Sequence, residues 1–509
     1  MSLMGLDIGT TGTKATVFDE GGRILASAYR EYPMVHPRPG WMELDPGQVW
    51  DNVREAIRQA AGRASGDPVR AFAISVLGEA AVPIGRNGAA LGNSILGFDS
   101  RTTELFDRWI AGHDRAEIMR TCGQPPSQMF TIVKLMWIKQ NQPDLYRSMA
   151  KYLTFEAFAH HKMGLEPHVD HSMAARTMAF DIHAKQYSET LCRWADVRAD
   201  LFSPAVPTGT VIGELGSKAA AELGLPRGCL VVAGSHDQPA GALGSGVTQP
   251  RVAMDATGTV ECFAVAMDKP VVNETMLNNN LACYPHAAEG LYVALAFNFT
   301  GGSLFRWIRD SFGQPEAEEA RRSGRDIYDL LTDHMSPEPT DLFFVPHFMM
   351  TGTPYLDGVP VGAVIGLTLS TTRSEFLRAA LEGICYEMKL NVDILRQAGV
   401  EVDEFRAIGG GAKSDFWLQL KADMYNRRVV RLEVAEAASL GMAIAAGLGA
   451  GVYDSAAQAA AQLIAPKASF TPHPQRSRYY EEKLGQYRHL YGALKEWQRR
   501  VGFRCEAPG

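Results

Sequence analysis

The chain has 509 residues, of which 46% are apolar and 21% charged, and its net charge is −7. Single hydrophobic cores stop growing near ~250–300 residues, so two large lobes are expected. The acidic balance argues against a nucleic-acid or anionic-membrane surface, because either needs a basic footprint. No apolar run approaches the ~18–20 residues that span a bilayer. The N-terminus has no basic segment leading into an apolar one, so it reads as no secretory signal. The seven cysteines, Cys122, Cys192, Cys229, Cys262, Cys283, Cys385 and Cys505, show no C-x-x-C spacing, which argues against a zinc ribbon or redox motif. Their odd number fits a reducing cytoplasm.

In chain order, Leu3–Ile8, Thr13–Asp19 and Arg23–Tyr29 read as a meander, with a hairpin turn at Glu20-Gly21-Gly22. "HPRPGWMELDPGQVW" is a Pro/Gly-rich loop whose Asp45-Pro46 starts a helix running to about Ala61. Val69–Val76 is an apolar run of buried-strand type. The order returns near residue 250, where Val252–Asp255 and Val260–Ala266 flank Ala256-Thr257-Gly258-Thr259. Arg373–Arg396 is a long helix opened by a Thr372/Glu375 capping box, with Gly399 just past its end. Phe405–Ile408 is a strand, and "GGGAKSDFWLQLKADMY" is a glycine turn opening a helix with Phe416, Trp417, Leu420 and Met424 on one face. The Ala-rich stretch 456–462 reads as helix. Each half thus begins with a strand, a Gly/Thr turn and a strand. The expected partition is residues 1–247 and 248–509, with a boundary near Gly246–Pro250.

The opening turn carries Asp7, Gly9, Thr10, Thr11, Gly12, Thr13 and Lys14. Glycines let backbone N–H groups approach a phosphate with no Cβ in the way. The threonines add hydroxyl donors and Lys14 adds positive charge. Asp7 would repel a phosphate, and fits there if Mg²⁺ lies between them. A plain hairpin with a glycine turn is the competing reading. There is no Walker A pattern, so this is not a P-loop protein. The cluster His160, His161, His168, Asp170, His171 resembles a metal set in composition alone, and a loop explains it better.

"DIGTTGTK" resembles the first phosphate loop shared by actin, hexokinase and the heat-shock chaperone ATPases. Within that superfamily the chain resembles the FGGY family of carbohydrate kinases along nearly its whole length. "GWMELDP" is similar to the family's loop after the first meander. "MFTIVKLMWIKQN" fits its first signature, with Thr131, Lys134, Trp137 and Asn141 in place, and "GAVIGLTLSTTRSEFLRAALE" fits its second. "GGGAKSDFWLQLKAD" is similar to its adenosine loop, in the xylulokinase form.

The resemblance implies an α/β fold of two actin-like (ribonuclease H-like) lobes with a ligand cleft between them. It also implies a cytoplasmic, ATP- and Mg²⁺-dependent kinase for a sugar or polyol. Gly9, Thr10, Thr11, Thr13 and Lys14 would meet the nucleotide, as would Thr257, Gly258, Thr259, Gly302, Gly410, Gly411, Ala412 and Asp415. Asp7 and Asp237 would stand near the metal. In "VVAGSHDQPAGALGSG", Asp237 matches the family's catalytic base, while an N-cap aspartate is the competing structural role. Near a helix N-terminus its carboxylate is expected to stay ionised. His236 reads as a local hydrogen-bonding residue. For the sugar, Glu79, Asp99, Arg101 and Asp237 are the candidates. Leu77-Gly78-Glu79 replaces the Gln-Met-His of xylulokinases; glycerol kinases have Arg-Glu at the last two positions, so Glu79 keeps that carboxylate and loses the arginine. The family's Asp-x-Arg is kept at Asp99 and Arg101, its usual Trp is replaced by Gly97, and a structural ion pair is the competing reading of Asp99 and Arg101. These departures leave other ketoses, sugar acids and polyols open beside xylulose. A nucleotide-gated interaction protein of the actin or chaperone kind is the remote alternative. The residues do not report oligomeric state, and a homodimer is compatible with them.

Overall fold

The computed structural model describes residues 2–359 and 361–502. Cys505 lies outside them, and the other six cysteines are buried and free. Labels below are given to the strands of the two large sheets and to the helices that bear on the site.

The first sheet contains β1 (Ser2–Ile8), β2 (Gly12–Phe18), β3 (Ile24–Glu31), β4 (Val69–Val76), β5 (Val211–Glu214) and β6 (Leu230–His236). Their order is β5-β6-β4-β1-β2-β3. The meander β1-β2-β3 is antiparallel, and β4 and β6 add in parallel beyond β1. The nearly continuous burial of β4, broken only at Arg70, follows from its central place, where both faces are covered. The second sheet repeats the plan with β7 (Val252–Thr257), β8 (Glu261–Met267), β9 (Ala282–Pro285), β10 (Tyr292–Asn298), β11 (Glu404–Gly409), β12 (Arg428–Leu432) and β13 (Pro466–Phe470). Its order is β9-β10-β8-β7-β11-β12-β13. Here too an antiparallel hairpin, β7-β8, is extended in parallel by β11 and β12. The repeated strand–turn–strand read from the sequence is therefore the core of two sheets of like topology.

The helices that matter are α1 (Pro46–Arg63), α2 (Thr131–Asn141), α3 (His171–Ala175), α4 (Asp237–Gly244), α5 (Gly302–Phe312), α6 (Arg373–Gln397), α7 (Asp415–Tyr425) and α8 (Ala437–Gly449). The predicted Thr372/Glu375 capping box of α6 is formed. The Ala-rich stretch is helical over Ala456–Leu463. The histidine cluster is not a loop: His160 and His161 lie in a helix, Phe155–Lys162, and His171 opens α3.

One helix crosses the expected division into halves. α8, late in the chain, packs on β1, β4 and β6 of the first sheet and along α4. Glycines allow this contact. A Cβ on Gly441 would lie 2.0 Å from the Ala240 carbonyl oxygen, and one on Gly5 would lie 1.8 Å from that of Ser439. Backbone meets backbone there, with no room for a side chain. Among the described residues no helix is long and apolar enough to cross a membrane.

Candidate active site

The first turn is built to hold its shape. The β1–β2 register sets Asp7 opposite Lys14 and Ile8 opposite Thr13. Gly9 N–H donates to the Gly12 carbonyl at 2.9 Å. The Tyr32 hydroxyl spans the carbonyls of Gly9 and Gly12, at 2.6 and 3.0 Å. Gly12 must be glycine, since a Cβ would meet the Tyr29 hydroxyl oxygen at 2.5 Å. Thr10 is half-buried and Thr11 exposed at the tip of this turn. Thr13 does not join them: it is buried and its hydroxyl donates to the Asp7 carbonyl at 2.9 Å. Thr13 is already inside β2, opposite Ile8, and its hydroxyl turned back to β1 braces the turn. Lys14 Nζ donates to both carboxylate oxygens of Glu436 at 2.9 Å, just before α8. Sequence reading missed Glu436. Burial lifts Asp7 above the ordinary carboxylate range; Ser75 and Lys14 pull it back and Glu436 adds to the rise.

In the other lobe, Thr257, Gly258, Thr259, Gly302, Gly410 and Gly411 line one cavity of about 450 Å³. Gly258-Thr259 is the turn between β7 and β8, and Gly302 N–H, at the start of α5, donates to the Gly258 carbonyl at 2.9 Å. Sequence reading missed the cavity's aromatic wall, Phe305, Tyr328 and Trp417, and its cations Arg306 and Lys413. Ala412 and Asp415 do not line it. Ala412 is buried under a 3₁₀ turn, Gly410–Lys413. Ser414 then caps α7, so Asp415 is the first helical residue; it turns outward and pairs with Arg431. Lys413 and Ser414 take the lining positions instead. Beneath the turn, Lys421 Nζ donates to both Asp255 oxygens at 2.9 and 2.7 Å and to the Thr257 hydroxyl at 2.6 Å. Another recess, about 520 Å³ between α6 and the segment 472–481, shares no residue with either turn.

Asp237 sits at the joint of β6 and α4. β6 shifts register against β4 between Val232 and Ser235. Gly234 allows the shift, because a Cβ there would lie 1.8 Å from the Ile74 carbonyl oxygen. Two buried side chains fix it: Glu156 accepts from Gly234 N–H at 2.7 Å and the Ser172 hydroxyl accepts from His236 N–H at 2.9 Å. Asp237 is the first helical residue; His236 holds the N-cap position, without a side-chain capping bond. Asp237 Oδ1 has no hydrogen-bond partner. His236 Nε2 stands 3.1 Å away, while its Nδ1 meets the Tyr284 hydroxyl at 3.0 Å. Burial, with help from Arg176, holds His236 well below its ordinary pKa, so it is neutral. The Asp237 side chain is 41% exposed, with Oδ1 buried. Burial, then the charges of Asp7 and Glu79, push its pKa up to about 7. The expectation that the helix terminus keeps it ionised is therefore corrected: desolvation and two nearby carboxylates outweigh the dipole.

Glu79 reaches the same place by strain. Its φ is +63°, rare for a residue with a side chain and found where surroundings enforce it. The enforcers belong to the first signature: the Thr131 hydroxyl and Lys134 Nζ both donate to the Glu79 carbonyl, at 2.9 and 2.8 Å. The arginine that the sequence lacks beside Glu79 comes from elsewhere. Arg176, at the end of α3, donates through Nε to Glu79 Oε1 at 2.6 Å. Gly97 makes room, since a Cβ there would lie 2.8 Å from Glu79 Oε2. Asp99 and Arg101 do form a closed pair. Asp99 accepts from Arg101 Nε at 2.8 Å, Arg101 NH2 at 2.7 Å, Arg101 N–H at 2.9 Å and Met42 N–H at 2.6 Å. Arg101 also holds Glu43 at 2.7 Å and stacks 3.8 Å from the Trp41 ring. The pair braces the Trp41–Glu43 loop, and Arg101 with Glu43 lines a recess on its far side.

Two like sheets, each with a glycine turn at the head of its first hairpin, define a two-lobed phosphotransferase of the actin-like fold. The chain belongs to the FGGY family of carbohydrate kinases. Residues 2–244 match the family's N-terminal domain and residues 253–450 its C-terminal domain. It is 26% identical over 498 residues to a xylulose kinase of Bacillus subtilis, covering 97% of each chain. It is 31% identical over 503 residues to an autoinducer-2 kinase of Klebsiella pneumoniae, covering 96% of this chain and 93% of that one. Its fold matches a ligand-bound xylulose kinase from Lactobacillus acidophilus with a TM-score of 0.88 at 22% identity, over 97% and 98% of the two chains. The resemblance read from the sequence is borne out for family, fold class and sugar-kinase activity.

Proposed function

We propose that the protein transfers the γ-phosphate of ATP to a hydroxyl of a sugar or polyol in the cytoplasm, with xylulose the first candidate and Asp237 the catalytic base. The observation that carries the reading is the Asp237 carboxylate: it stands half-exposed at the end of a braced strand, with Oδ1 buried 3.1 Å from a neutral His236 and the exposure left to its other oxygen. The acceptor hydroxyl donates to it. As the hydroxyl oxygen bonds to the γ-phosphorus, its proton passes to Asp237 and the bond from that phosphorus to the ADP oxygen breaks. A base that gains a proton in the step suits a pKa near the working pH.

Thr10, Thr11, Lys14 and the N–H groups of the first turn would take the terminal phosphates. The cavity behind Gly258 and Gly410 would take the adenosine. Asp7 and Asp237 fit a hard divalent cation such as Mg²⁺: both supply carboxylate oxygens, and they stand near enough for the charge of Asp7 to raise the Asp237 pKa. Among the described residues no three acidic, His or Cys groups lie close enough to hold a metal alone, so the cation would be shared with water and phosphate. When bound, it neutralises phosphate charge.

An ADP-release assay over pentuloses, hexuloses, sugar acids and polyols tests the reading. Acceptor-dependent ADP formation is expected with one of them. ATP hydrolysis indifferent to every acceptor would favour the nucleotide-gated alternative.

A further inference from the structure

Arg176 is the cation closest to the acceptor side of Asp237, and all of its faces are spoken for. Nε and NH2 donate to Glu79 Oε1, and NH1 donates to Gln124 Oε1 at 3.0 Å. The flat guanidinium also lies against the Phe130 and Tyr284 rings, 5.0 and 5.6 Å from their centroids. The other nearby cations are also engaged: Lys134 on the Glu79 carbonyl and Arg101 on Asp99 and Glu43. What remains is uncharged or negative. Gln124 Nε2 is a buried donor without a partner and Asp237 Oδ1 an acceptor without one. Glu79 Oε2 faces the space that Gly97 leaves open.

We propose that Arg176, fixed by Glu79 and Gln124, determines acceptor specificity, and that this constellation selects uncharged ketoses and polyols over sugar acids. The inference rests on the sugar-kinase reading and narrows its substrate class. Carboxylates accept hydroxyl protons well, each oxygen taking more than one. A sugar-acid carboxylate would need a free cation, and it would meet Glu79 and Asp237 as like charges. Glu79 cancels the one charge that could have attracted it.

The test compares kcat/KM for neutral acceptors with that for sugar acids of matched length, such as a hexitol or hexulose against gluconate, in three proteins. The wild type should favour its best neutral acceptor by about 100-fold or more, since a site discriminates most strongly through groups left unpaired. Glu79→Gln keeps shape and frees the Arg176 charge; it should shrink the ratio at least about tenfold. Arg176→Gln leaves Glu79 uncompensated and should enlarge it. Opposite movements of one ratio are not expected from a loss of packing, which would lower both acceptors alike. If either variant fails to fold, the wild-type ratio and the other variant still decide. A wild type that prefers sugar acids, or variants that leave the ratio unchanged, would overturn this inference alone. No turnover of any acceptor would remove the kinase reading and this inference with it.

Discussion

Lys14 on the first hairpin and Glu436 before α8 are 422 residues apart in the chain and form a two-pronged ion pair at 2.9 Å. Both side chains are about one-third exposed, at 31% and 32%, and pairs of that kind contribute ~0.2–1 kcal/mol. A phosphate seeking Lys14 must compete with Glu436. Glu436→Gln should therefore lower the KM for ATP by about two- to fivefold, the range that such a pair energy allows. Steady-state kinetics at saturating acceptor would show it, and a raised KM would mean that Glu436 assists the nucleotide.

Gly410 and Gly411 make a paired test of the second-lobe cavity. A Cβ on Gly410 meets nothing closer than 4.0 Å, whereas one on Gly411 would lie 2.6 Å from Thr257 Cγ2. Gly410→Ala should fold with nearly wild-type stability but raise the KM for ATP about tenfold, through a methyl standing in the adenosine space. Gly411→Ala should also lower the melting temperature, as overpacking costs ~1–3 kcal/mol. Calorimetry with nucleotide titration separates the two.

Ser172 is expected to act through the backbone. Its hydroxyl is the acceptor for His236 N–H, next to Asp237. Ser172→Ala leaves a buried donor unpaired, at ~1–3 kcal/mol. Turnover should fall while the KM for ATP holds, because the second-lobe cavity is untouched. Loss of stability with unchanged kcat would make Ser172 a purely structural brace.

How much of this was legible in the sequence depends on separation along the chain. The turns at Gly9–Lys14, Thr257–Thr259 and Gly410–Gly411 are local, so their residues announce their shape. Thr13 and Asp415 were misread by one step of local geometry, the start of a strand in one and the start of a helix in the other. Arg176 was not legible at all. It meets Glu79 across 97 residues, and nothing in "HSMAARTM" marks it, since long-range pairing leaves no spacing pattern. Signature residues Thr131 and Lys134 were legible as positions but not as a role, for their target is the carbonyl of a strained Glu79.

Asp237 also bears on stability. Its pKa is raised to about 7 from an ordinary 3.8, first by burial. Below about pH 4 it is protonated folded and unfolded alike. Between about 4 and 7 the unfolded chain loses the proton while the folded one keeps it, so folding loses stability as pH rises, until both are ionised. Asp237→Asn, neutral throughout, should melt above the wild type at pH 8, with a smaller gain at pH 5. A melting temperature lowered at both pH values would point to a structural role for the carboxylate.

The most direct measurement is kcat of Asp237→Asn on the true acceptor. Asn preserves size and keeps an acceptor oxygen, and the N-cap position of α4 belongs to His236. Turnover should fall by ~10²–10⁴, the usual contribution of a positioned base, while the variant stays folded and binds ATP as before. A folded Asp237→Asn protein with near wild-type kcat would contradict the assignment of Asp237 as the base.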